Sequence, residues 1–127
     1  MAGELIASFG FAFSKNGIET QPVADRQEID VSGGDAIERT QIIGSSAEAL
    51  DVGEIGTCGM AHFFHTGKTG AGAAATGAIS LQAGSGGAVL AKMKTGERAT
   101  FRLATNTPYA ICADSSAPVL AYKIVED

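Results

Sequence analysis

Between Val89 and Val125, turn signals cut the sequence into short apolar runs. Val89–Met93 is followed by Thr95-Gly96-Glu97, Ala99–Leu103 by Thr105-Asn106-Thr107-Pro108, and Tyr109–Ala113 by Asp114–Pro118; Val119–Val125 closes the series. Runs this short read as strands, because a helix of ordinary length needs about 10 residues or more. Strands recurring every 8–12 residues or so, with turns between them, describe an antiparallel sandwich or barrel. No amphipathic helix of useful length separates any two runs, so nothing supplies the crossover of a parallel βαβ unit. With 127 residues the chain has one domain's worth of core. The expected fold is all-β: a single-domain antiparallel β-sandwich over residues 1–127, with an N-terminal strand segment (1–17) and a Gly/Ala-rich hairpin or loop (66–88).

The N-terminal segment alternates strictly. Leu5, Ala7, Phe9, Phe11 and Phe13 share one side of a strand, and Asn16-Gly17 supplies a hairpin turn. The phenylalanine stripe has two readings. Phe is habitually a core residue, yet an apolar stripe also docks on a neighbouring subunit. On the second reading, the strand adds to a neighbour's sheet edge. Further along, Gln27–Val31 fits a short strand, Asp35 fits the cap of a helical turn, and Ser45–Glu48 reads as a turn between strands rather than a capping box. Met60–His65 alternates as a strand with both faces partly covered. Residues 66–88 are dominated by Gly and Ala, with Ile79-Ser80-Leu81 inside them. Small side chains bury little area, so the segment is expected to be an exposed hairpin bounded by flexible turns. Deleting Thr66–Gly77 is then expected to spare the fold and weaken assembly.

Composition and spacing exclude several chemistries. Hydrophobic residues make up 45% and charged residues 18%, too apolar and too weakly charged for a disordered chain. The net charge of −5 opposes binding to nucleic-acid phosphates, which needs a surplus of Lys and Arg. No apolar run has the length of a membrane helix. The opening Met1-Ala2-Gly3-Glu4 carries an acid where a secretory leader carries a base, so synthesis in the cytoplasm is expected, with Cys58 and Cys112 as free thiols. Gly67-Lys68-Thr69 resembles the end of a phosphate-binding loop, but His62 stands where the first glycine belongs. Gly70–Ala75 matches a loose dinucleotide fingerprint without the helix that must follow. Asp30–Asp35 lacks the alternating carboxylates of a calcium loop. Cys58, His62, His65 and Cys112 match no common zinc spacing, and two histidines three residues apart point to opposite faces of a strand. No Gly-x-Ser-x-Gly elbow occurs. The expectation is therefore no catalytic residue, no cofactor and no metal site.

The run Ile43–Thr57 resembles a segment of small structural proteins from tailed bacteriophages, and the aromatic-rich Met60–Phe64 follows in place. Met93-Lys94-Thr95-Gly96-Glu97-Arg98-Ala99-Thr100-Phe101-Arg102-Leu103-Ala104 is similar to that family's K-x-G-E…F-R-L-A segment. Pro108–Asp114 and Leu120–Asp127 follow in the family's order. The resemblance covers roughly residues 40–127 and departs from the pattern at His65-Thr66-Gly67. It implies a virion protein with a jelly-roll-like sandwich, made in the bacterial host cytoplasm and placed on the capsid surface. Its expected role is that of a capsid cement or decoration protein binding the major capsid protein, with self-association as a trimer or another oligomer, and no contact with nucleic acid or membrane. A tail or fibre component is the alternative within the virion, and a non-catalytic glycan-binding module the alternative outside it. Candidate interface residues are Phe9, Phe11, Phe13, Lys68, Thr69 and Gly70.

Overall fold

A computed structural model describes residues 4–127. The chain divides into two compact units, Met1–Ser32 and Gly33–Asp127. All regular structure is antiparallel β, with no helix among the described residues.

The first unit is a hairpin arm. Strand β1 (Leu5–Phe11) pairs with β4 (Val23–Ile29) from Leu5↔Ile29 to Phe11↔Val23. Between them, β2 (Ser14–Lys15) and β3 (Ile18–Glu19) close the tip. The turn is Asn16-Gly17, with φ of 51° and 79°. Positive φ at both central residues is the geometry that matches strand twist and favours Asn-Gly. The N-terminal strand is thus already paired within its own hairpin, not a free strand.

The second unit holds eight strands: β5 (Ala36–Ile42), β6 (Glu48–Ala49), β7 (Cys58–Thr69), β8 (Ile79–Gln82), β9 (Val89–Met93), β10 (Arg98–Arg102), β11 (Tyr109–Cys112) and β12 (Pro118–Glu126). They form two four-stranded sheets, ordered β10-β7-β12-β5 and β6-β11-β8-β9, and neither closes into a barrel. Pairing is nested: β5 with β12, β6 with β11, β7 with β10 and β8 with β9. One apolar cluster joins the two sheets. Ala61 and Phe63 of β7 and Leu120, Tyr122 and Ile124 of β12 meet Ile79 and Leu81 of β8, Met93 of β9 and Ala110 and Cys112 of β11. The arrangement is sandwich-like, and its middle is aromatic. Phe63 stacks on Phe101 at 5.6 Å and on Tyr122 at 6.2 Å between ring centroids.

Three expectations change here. Asp35 starts no helical turn, because Ala36–Ile42 is a full strand along β12. The phenylalanine stripe is not core: Phe9 is half-buried, Phe11 is 66% exposed and Phe13 45% exposed. Residues 66–88 are not one exposed hairpin. Thr66–Thr69 finishes β7, Ile79 and Leu81 are core, and Ala75 and Gly77 are buried. Deleting Thr66–Gly77 would remove the end of a central strand, so the fold is not expected to survive it. The Ser45–Glu48 turn does join two strands, and the Glu48 carboxylate accepts from the Gly44 N–H at 3.0 Å. Both cysteines are buried free thiols.

Removing the ring at the middle of the core leaves a cavity that rigid sheets cannot close. Phe63→Ala is expected to lower unfolding free energy by about 3–5 kcal/mol in urea titration. A loss under about 1 kcal/mol would show that the aromatic stack is not the centre of the core.

Candidate functional site

Strand alternation gives the β10-β7-β12-β5 sheet a second face that turns away from the core. Its residues fall in rows across the four strands. Thr100, His62, Lys123 and Glu38 are in register, and the next row is Arg98, Phe64, Ala121 and Thr40. Beyond them Val119 stands opposite Ile42. Two shallow depressions cover these rows. One, of about 450 Å³, is lined by Glu38, His62, Phe64, Arg98 and Lys123 among others. The other, of about 520 Å³, lies over Ile42, Val119 and Gly70, and both include Thr40.

The cationic end of this face is organised by three contacts. The Arg98 guanidinium lies 3.9 Å from the centre of the Phe64 ring, a cation–π contact. It donates through Nη1 to His62 Nε2 at 3.1 Å, and His62 Nδ1 lies 2.6 Å from Thr100 Oγ1. An acceptor at Nε2 requires the proton on Nδ1, so the imidazole is neutral and donates to Thr100. Burial, with the positive charges of Arg98 and Lys123, holds the His62 pKa below its ordinary value of 6.5. Neither Arg98 nor Lys123 has a carboxylate within ion-pair distance among the described residues, whereas Arg102 pairs with Asp127 at 2.7 Å and Arg39 with Asp51 at 3.4 Å. In a chain with net charge −5, this is a local excess of positive charge.

His65, one step along β7, faces inward and is fully buried. Its Nε2 donates to the Gly77 carbonyl at 2.7 Å, and its Nδ1 accepts from the Gly67 N–H at 3.0 Å. The imidazole therefore ties the Gly/Ala loop to β7. Gly77 is pressed so close that a Cβ there would overlap the Cys112 sulfur and the Asp114 carboxylate. The two histidines lie on opposite faces, as their spacing requires. Among the described residues no group of three His, Cys, Asp or Glu is gathered as a metal would need.

Of the sequence candidates, Phe9, Phe11 and Phe13 belong to the arm. Ile18 at its tip is 63% exposed and Val23, paired with Phe11, 49%. Lys68, Thr69 and Gly70 lie where β7 turns into the loop. Thr69 closes that turn, with its N–H donating to the Ala73 carbonyl at 2.8 Å and its carbonyl accepting from Gly72 at 2.9 Å. Gly70 sits against Ile42, at the rim of the outer face. The rest of that face (Arg98, Phe64, His62 and Lys123) was not singled out by sequence. Its signal was the alternation Met60-His62-Phe64, visible as a strand but without a partner strand to define its face.

Two outcomes follow. A folded state that disfavours His62 protonation has its full contribution above pH 6.5 and loses it as pH falls through the lowered folded value. The urea midpoint is thus expected to fall between about pH 7.5 and pH 5.5, and His62→Gln is expected to flatten that slope. A slope unchanged by His62→Gln would place the titration elsewhere. Separately, His65→Leu strands the Gly77 carbonyl and the Gly67 N–H. Its expected cost is about 2–3 kcal/mol by chemical denaturation, with faster proteolysis in residues 66–78.

No known protein family, curated protein or solved structure matches this chain.

Proposed function

We propose that the chain is a structural protein of a tailed-bacteriophage virion: a cement or decoration protein that binds across major capsid protein subunits on the capsid surface. The observation that carries the proposal is the hairpin arm. A two-stranded ribbon is marginal in water by itself. This one holds Phe11, Phe13, Ile18 and Val23 all 45–66% exposed at its distal half. Exposed large apolar side chains grouped on one element mark a contact surface. The sequence resemblance over residues 40–127 points the same way.

The second unit supports the finer reading of its fold as a jelly roll. Pairing of first strand with last, second with seventh, third with sixth and fourth with fifth is what results when one long hairpin is rolled into two sheets. Such a roll offers a rigid body for adhesion without any moving part. A tail or fibre position uses the same two elements and differs only in the partner. A glycan-binding role is disfavoured on this face, because Arg98 covers the Phe64 ring that a sugar would stack on.

Purified protein mixed with capsids that lack it is expected to sediment with them and saturate at a symmetry-related copy number. Phe11→Ser is expected to weaken that binding about tenfold or more, as loss of an apolar anchor does. Binding to isolated tails and not to capsids would overturn the cement reading in favour of the tail. Binding to neither would overturn both.

A further inference from the structure

The arm and the outer face of the β10-β7-β12-β5 sheet are complementary in charge and spacing. We propose that the hairpin arm of one copy docks on this face of a second copy of the chain. The arm's described residues carry Glu4, Glu19, Asp25, Glu28 and Asp30 against Lys15 and Arg26, so the arm is acidic. Arm-to-arm packing would set like charges together. The outer face offers the opposite sign, with Arg98 and Lys123 lacking ion-pair partners among the described residues and only Glu38 opposing them in its rows.

The patterns also agree in register. On the arm, the apolar pair Phe11↔Val23 lies two residues from the pair Phe9↔Asp25 on the same side. On the face, Phe64 and Ala121 lie two residues from His62 and Lys123. Both steps are about 7 Å, the repeat of one strand face. Phe11 and Val23 then lie over Ala121 and the Arg98 guanidinium that covers the Phe64 ring, and Asp25 meets Lys123. The apolar ground continues through Val119 and Ile42, the latter 53% exposed, toward Gly70. Arg98 is already fixed by Phe64 and His62, so little side-chain freedom is lost when it meets an acid.

Arm onto face is a head-to-tail contact. It closes into a ring when its rotation allows, and otherwise extends as a chain of copies.

The inference rests on the adhesive reading of the arm, and its test separates the two. Full-length protein is examined by sedimentation velocity over a wide concentration range at low and high salt. Concentration-dependent association that salt weakens is expected. Phe11→Ser and Arg98→Glu are each expected to raise the dissociation constant about tenfold or more, with circular dichroism unchanged. Lys123→Asp is expected to do the same, and combining it with Asp25→Lys to restore association. A monomer at every concentration overturns the inference, as does an oligomer that Phe11→Ser and Arg98→Glu leave intact. A monomer that still binds capsids overturns this inference alone, and an oligomer that binds none overturns only the cement reading.

Discussion

The pairing of β7 with β12 is the contact on which the second unit depends. Each strand sends alternate residues to opposite sides, so one ladder builds two surfaces at once. Inward go Ala61, Phe63, Leu120, Tyr122 and Ile124, which fill the core. Outward go His62, Phe64, Ala121 and Lys123, which make the candidate face. A one-residue slip would exchange the two sets, placing a lysine in the core and a tyrosine in solvent. Register here is therefore fixed by burial, and the geometry of the outer face is inherited from the packing of the inner one.

The edge of that sheet shows how polar side chains on its core-facing side find partners at the rim. On β5 the inward positions are Ile37, Arg39 and Gln41, an unusual set for a core-facing edge. Each polar member has a partner. Arg39 reaches Asp51; Gln41 donates to the Ala49 carbonyl at 3.0 Å and accepts from the Asp51 N–H at 3.3 Å. Tyr122 completes the group by donating to the Asp51 carbonyl at 2.8 Å. At the far end of β12, the Glu126 carboxylate accepts from the N–H groups of Gly56 and Gly34, which lower its pKa. Side chains thus satisfy the loops that flank the sheet where backbone ladders stop.

The same partners explain what sequence could and could not reveal. The strands after Val89 were legible, because they are short apolar runs with a turn signal in every gap, and in one of them Phe101 and Leu103 alternate with Thr100 and Arg102. Strand β5 was not, since Arg39 and Gln41 occupy inward positions and erase the period of two. The Gly/Ala stretch hid β8, whose only signal was Ile79 and Leu81, and hid the role of His65, which depends on carbonyl and amide groups that carry no sequence identity. The phenylalanines of the arm were legible as a stripe. Whether water or protein covers them is decided by the strands around them, not by their spacing. The outer face was invisible for a related reason: Arg98, His62 and Lys123 are far apart in the chain and meet only through strand register.

Nesting carries a kinetic consequence. Because β5 lies along β12, the strand that opens the second unit must wait for the one that ends it. Of the four nested strand pairs, β8 with β9 is the local hairpin, and it can form early from neighbouring residues. Every wider pairing adds loop-closure entropy before its contacts repay the loss. Folding should be slow for the size of the unit and proceed outward from the β8–β9 turn, with Ala36–Ile42 left as an unpaired edge until last. A nascent chain would then spend its longest interval with β5 exposed, at the stage when chaperones matter most.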